Sequence, residues 1–298
     1  MKHRLFVPTA RPSPALLAPL VVALHGCTQT AGDFAAGTRF DSVAERYGAY
    51  VLYPEQSVAA NPNRCWNWFL DAHQHRDRGE PSALLSLVDE VSGHYPIDRA
   101  RIYVAGLSAG GAMAAILAEQ APDVFSAAGI MAGVALHSSH DVETAFAAMR
   151  GDIVASSRVR VVARPVGHGN AYERLRVSIW AGARDRVVVP DNASLLAEQF
   201  LRLFGLRVRS GESERREDAE IVRFRDDTGR VRIETWRVNA MGHAWSGGSF
   251  RGSHTWPKGP HASDEMMAFF LTDEACGATG TAGPASAGPP YERCDLAE

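Results

Sequence analysis

The stretch Gly106-Leu107-Ser108-Ala109-Gly110 limits the folds open to this chain more than any other. Before it runs Arg101-Ile102-Tyr103-Val104-Ala105, rich in β-branched and aromatic residues, which reads as a buried strand. After it, Gly111 to Gln120 is dominated by alanine and unbranched side chains and reads as a helix. A serine at that junction, with glycines two places before and after, fits the sharp strand-to-helix turn called a nucleophile elbow. The turn strains the serine backbone, and side chains at the flanking positions would collide with the neighbouring strand or helix. The pentapeptide alone recurs by chance; the strand and helix around it give it weight. The alternative is a glycine-rich turn with an idle serine.

The rest of the chain alternates strand and helix patterns. Strands are expected at Arg4 to Val7, Leu20 to Leu24, Tyr50 to Tyr53, Phe125 to Met131, Leu175 to Gly182, Glu220 to Phe224 and Val231 to Val238. Helices are expected at Phe40 to Tyr47, Pro81 to Tyr95, Val142 to Met149, Asn192 to Phe204 and Ala262 to Leu271, with Asp191 or Asn192 capping the fourth. Gln56 to Asp71 reads as a long irregular loop, and Ser210 to Asp218 as a charged surface loop. This alternation predicts an α/β protein with a mostly parallel sheet, covered by helices on both faces. Ligands in such sheets bind beyond the carboxyl ends of the strands. Residues 1–275 read as one catalytic domain, and 276–298 as a flexible Gly/Ala/Pro-rich tail with too little apolar surface to fold alone.

Composition removes several classes of function. The 298 residues carry a formal net charge of −3 with no basic block, which argues against a nucleic-acid partner. No apolar run reaches membrane-spanning length. Cys27, Cys65, Cys276 and Cys294 are compatible with two disulfides in an oxidising compartment, or with four reduced thiols. None has the spacing of a zinc site, and no metal is expected.

A serine hydroxyl is a weak nucleophile until a base takes its proton and an acid orients that base. Around an elbow the chain order is serine, acid, histidine. His243, just past the strand ending at Val238, has the best context for the base; a surface histidine is the alternative. Asp185 directly follows the strand ending at Gly182 and is favoured as the acid over Asp191. A salt bridge with Arg184 or Arg186 is the other reading of Asp185. The tetrahedral intermediate needs two N–H donors, each worth about 2.7–4 kcal/mol. Ala109, after the serine, supplies one, and Cys27, in the loop after an early strand, the other. His25 reads as a structural brace for that loop.

Four separated motifs stand in order: His25-Gly26-Cys27-Thr28-Gln29, Asn63-Arg64-Cys65-Trp66-Asn67-Trp68-Phe69, Gly106 to Met113, and Gly242-His243-Ala244-Trp245-Ser246-Gly247-Gly248. Together they resemble the polyhydroxybutyrate depolymerase family of esterases, relatives of the feruloyl and acetylxylan esterases of carbohydrate esterase family 1. The resemblance spans Arg4 to Leu271. It implies an α/β-hydrolase fold without a large separate lid domain, a Ser108, Asp185, His243 triad, and no cofactor. It also implies a disulfide between Cys27 and Cys65. At the acid the family often carries Gly-Asp-x-Asp, whereas this chain has Gly182-Ala183-Arg184-Asp185 and keeps only the second aspartate.

Trp66, Trp68 and Trp245 are candidates to line a substrate groove, since aromatic rings suit a polyester chain or a feruloyl ring; core packing is the alternative. Cys276 and Cys294 bracket the tail and either pair or stay free. Eight residues follow Pro290, so no polymer-binding domain is expected after the tail. The expected function is hydrolysis of hydroxyalkanoate esters, with feruloyl or acetylxylan esters as the alternative substrates. A serine peptidase or a non-catalytic binding module ranks below both. The chain opens almost directly on domain sequence, and a secreted or periplasmic protein whose leader has been removed is expected, with the cytoplasm as the alternative.

Overall fold

Leu20-Val21-Val22-Ala23-Leu24 offers water no polar side chain, and every position of its strand is buried. A strand buried on both faces belongs inside a sheet covered on both sides, and the computed structural model puts it there. The structure describes residues 1–9, 16–152, 170–207 and 211–272. In chain order its first half contains β1 (His3–Phe6), β2 (Ala18–Leu24), α1 (Ala31–Thr38), α2 (Phe40–Tyr47), β3 (Tyr50–Pro54), α3 (Gly79–His94), β4 (Ile97–Leu107) and α4 (Ala109–Gln120). The second half contains β5 (Ala127–Met131), α5 (Val142–Met149), α6 (Ala171–Arg174), β6 (Arg176–Gly182), α7 (Asp191–Phe204), β7 (Gly211–Arg215), β8 (Ala219–Arg225) and β9 (Val231–Val238). Two short paired strands, β10 (Trp245–Ser246) and β11 (Thr255–Trp256), precede α8 (Ala262–Leu271).

Among the described residues the main sheet has the order β1-β3-β2-β4-β5-β6-β9-β8-β7. The run from β3 to β9 is parallel, and antiparallel strands close it at both ends. The side chains sort with the two-residue period of a pleated strand. Val22, Leu24, Val104, Ile130 and Ile179 face one hydrophobic cluster with Leu87, Met113 and Phe200. Val21, Ala23, Ala105, Met131 and Trp180 face a second with Phe34, Phe40 and Met266. The α/β-hydrolase architecture expected from the motifs is therefore present, with helices on both faces.

Two local expectations are corrected, and one helix stands where none was expected. Within the 210–218 stretch, Gly211–Arg215 is an edge strand rather than loop. Its all-polar sequence carries no alternation, because an outermost strand needs no buried face; Arg225 on Glu212 and Arg223 on Glu214 hold it to β8. Helix α1, which no apolar periodicity announces, is capped by Thr30, whose side chain accepts from the Asp33 N–H. Helix α7 begins after Pro190 with no side-chain cap. Asn192 is instead fully buried, accepting from the Ala135 N–H and donating to the Ala148 carbonyl. Cys276, Cys294 and the tail lie outside the described residues.

Candidate active site

β4, β6 and β9 run parallel, so the loops leaving their carboxyl ends emerge along one edge of the sheet. Ser108 leaves β4, Asp185 follows β6 and His243 follows β9.

Ser108 has φ 57° and ψ −118°, a conformation L-residues avoid, at a cost of about 1–3 kcal/mol. The surroundings explain how it is held. The Ser108 N–H donates to the Met131 carbonyl at 2.9 Å, and its carbonyl accepts from Ala112 at 2.8 Å. A Cβ on Gly106 would stand 2.2 Å from the Gly110 carbonyl oxygen, and one on Gly110 would stand 2.2 Å from that of Leu24. The strand, the helix and β2 approach so closely that only glycine fits at both flanks.

The loops that carry Asp185 and His243 are stitched together before the two side chains meet. The Ala183 N–H donates to the Val238 carbonyl and the Arg184 N–H to that of Met241, each at 2.9 Å. A stack of Trp180 on Trp236, with ring centroids 4.2 Å apart, locks β6 to β9 beneath them. The Asp185 carboxylate has no solvent exposure. Its Oδ1 accepts from the N–H groups of Val187 (2.8 Å) and Val188 (3.0 Å), and its Oδ2 lies 2.7 Å from His243 Nδ1. A carboxylate oxygen at that distance requires Nδ1 to carry the hydrogen, which leaves the lone pair of the neutral ring on Nε2. The structure thus brings Asp185 and His243 into contact and pairs Asp185 with neither neighbouring arginine. Ser108 stands on the same sheet edge without a described hydrogen bond to His243; contacts of this kind tighten when substrate binds.

The loop after β2 passes over the elbow. A Cβ on Gly26 would lie 3.4 Å from the Leu107 oxygen and 3.6 Å from Ser108 Cβ, which places Cys27 one residue beyond the contact with Ser108. Ala109 is the first residue of α4, and its N–H has no acceptor within the helix. The loop is braced from several sides. Cys27 and Cys65 form a disulfide. The Thr28 N–H donates to the Asn63 carbonyl at 2.6 Å, and the Trp66 indole N–H to the His25 carbonyl at 3.0 Å. His25 is fully buried: its Nε2 accepts from the Gln56 N–H, so Nδ1 donates to the Gly26 carbonyl at 2.7 Å. Burial also holds this imidazole below its ordinary range, in the neutral form that tautomer requires.

The three candidate tryptophans are buried. Trp66 and Trp245 have essentially no exposed surface. Trp245 donates to Ser263 Oγ at 3.1 Å and meets Phe34 and Phe40 edge-on. Trp68 is buried against Phe69. Burial leaves Trp66 and Trp245 no face for a ligand; they position the site from behind, through the loops they carry. Buried polar residues that no motif marks do similar work. Glu80 accepts from the Asn67 N–H at 2.8 Å, from its side-chain amide at 2.7 Å and from Gln56, and so fixes the loop that carries Cys65. Among the described residues no group of three or more His, Cys, Asp or Glu side chains is placed to hold a metal ion.

The fold and the elbow define an α/β-hydrolase. Residues 3–223 match the family described as Esterase PHB depolymerase, and the chain belongs to that family. It is 33% identical over 238 residues to poly(3-hydroxyalkanoate) depolymerase C of Paucimonas lemoignei, covering 80% of this chain and 56% of that protein. It is 29% identical to poly(3-hydroxybutyrate) depolymerase of Ralstonia pickettii, over 77% of this chain and 48% of that one. Acetylxylan esterase A of Emericella nidulans is 28% identical over 62% of each. The chain spans about half the length of the two depolymerases. Among solved structures, an acetyl xylan esterase from Aspergillus awamori superposes with a TM-score of 0.69 over 90% of this chain and 93% of that one; at 20% identity this likeness concerns the fold. His243 lies past the family match, so its place in the site rests on the contact with Asp185.

Proposed function

We propose that the chain is a serine carboxylester hydrolase acting on hydroxyalkanoate polyester or its oligomers. The observation that carries this reading is the strained Ser108 on the same sheet edge as the buried Asp185–His243 pair. Family membership and the two named depolymerases support the substrate class.

In this reading Ser108 Oγ attacks the ester carbonyl and His243 Nε2 takes its proton. Asp185 keeps the tautomer and stabilises the imidazolium. The N–H groups of Ala109 and Cys27 hold the oxyanion. His243 returns the proton to the leaving alcohol. Water, deprotonated by His243, then releases the acyl group.

A second reading, an acetylxylan or feruloyl esterase, is favoured by the likeness to acetylxylan esterase A and to a feruloyl esterase B of Neurospora crassa, 36% identical over 107 residues. Purified protein offered 3-hydroxybutyrate oligomers, acetylated xylan and methyl ferulate separates the two. The first reading predicts the highest kcat/KM on the oligomers. Preference for either sugar or phenolic ester would replace it.

The Cys27–Cys65 disulfide supports an oxidising location, secreted or periplasmic. Among the described residues no helix is long and apolar enough to cross a membrane.

A further inference from the structure

We infer that Gln29 is a positioning residue for the oxyanion hole, an inference that rests on the proposed ester hydrolysis. Its side chain is buried, and both ends of its amide are used. Oε1 accepts from the Gly26 N–H at 2.8 Å. Nε2 donates to Asp33 Oδ2 at 3.0 Å and to the Ser253 carbonyl at 3.1 Å, and lies 3.3 Å from Ser253 Oγ. Asp33 in turn accepts from the N–H and hydroxyl of Ser253 at 3.0 and 2.6 Å. Those acceptors fix the amide orientation, so it is Oε1 that faces Gly26.

The consequence follows from peptide geometry. The Gly26 carbonyl and the Cys27 N–H belong to one planar trans unit and point in opposite directions. That carbonyl is held by the Gln29 backbone N–H at 3.3 Å and by His25 Nδ1 at 2.7 Å. The N–H of the same glycine is held by the Gln29 side chain. With both polar groups of Gly26 tied on the protein side, the Cys27 N–H is turned the other way, towards the elbow that Gly26 touches. Gln29 is thus the clamp that aims one donor, and through Asp33 and Ser253 it links that aim to the loop between β10 and β11.

Gln29→Met keeps the bulk and removes both ends of the clamp. Its kcat on a short p-nitrophenyl ester is expected to fall about 10- to 100-fold, less than for a donor deleted outright, with KM within about twofold. Inhibition by phenylboronic acid, whose serine adduct places an oxygen in the hole, should weaken by a similar factor. A purely structural role would lower the melting temperature and leave kcat and boronate affinity in place, and that result overturns the inference. Gln29→Glu, which keeps the acceptor but sets a carboxylate against Asp33, serves if the first variant does not fold. Its kcat should fall, and adding Asp33→Asn should restore it to within about tenfold of the parent, since an asparagine amide at position 33 can donate to the carboxylate introduced at position 29; an unchanged kcat in Gln29→Glu also overturns the inference. A parent protein without ester hydrolysis would instead defeat the underlying function.

Discussion

His243 and Asp185 come from loops after adjacent strands and meet at 2.7 Å, Nδ1 to Oδ2, while the second oxygen of Asp185 is occupied by the Val187 and Val188 amides. This division of labour allows a sharp substitution, Asp185→Asn. The asparagine side chain would keep its oxygen on the two amides and turn its NH2 towards His243. The ring would then carry its hydrogen on Nε2, where it cannot receive the serine proton. Asp185→Asn is expected to lower kcat on the order of 10⁴-fold with little change in melting temperature. Steady-state kinetics beside a thermal melt check it.

The glycines near the site divide into two kinds. A Cβ at Gly106 would meet the Gly110 backbone at 2.2 Å, whereas one at Gly242 would meet nothing within 4 Å. Gly106→Ala should abolish activity or folding, since no flexible side chain can yield there. Gly242→Ala, one residue before the proposed base, should fold normally and keep activity within a few-fold. Soluble yield and kcat of the two variants, measured together, decide this.

The sequence made much of this legible because its motifs are short and their backbone demands are specific. Helices Phe40–Tyr47, Val142–Met149 and Ala262–Leu271 and strand Val231–Val238 coincide with their patterns residue for residue. The Cys27–Cys65 pair implied by the family resemblance is present. What stayed hidden depends on partners distant in sequence. Residue type cannot say whether Trp66 faces a groove or the core; the His25 carbonyl that takes its indole hydrogen lies 41 residues away. Gln29 reads as one polar residue of a motif until Ser253, 224 residues on, is folded against it. The Gly211–Arg215 strand has no apolar face because no layer covers that edge.

The disulfide closes a loop of 38 residues. Removing it with Cys65→Ser should cost about 3–4 kcal/mol, mainly by freeing the unfolded chain, which corresponds to roughly 10 °C in melting temperature. Because the same bond fixes the loop after β2, kcat should fall as well. Melts and kinetics with and without reductant test both parts.

His137 carries a pH dependence of stability. Its Nε2 lies 2.7 Å from the buried Glu119 and its Nδ1 3.2 Å from Gln74 Oε1. Gln74 spends its NH2 on the Trp68 and Ser139 carbonyls, so both ring nitrogens face acceptors. Burial works against the charged ring, but the hydrogen bond and charge of Glu119, aided by Asp71, outweigh it and raise the ring above its ordinary 6.5. A raised folded-state value means that the contribution is fully present below 6.5 and is lost as pH rises through the folded value. Glu119→Gln should flatten this alkaline decline, as melts on both sides of neutrality would reveal.

In the proposed reaction Ser108 attacks an ester. The most direct test is the hydrolysis rate of a short p-nitrophenyl ester by Ser108→Ala, with folding verified by circular dichroism. A loss on the order of 10⁴-fold or more is predicted; turnover within a few-fold of the parent would contradict the account.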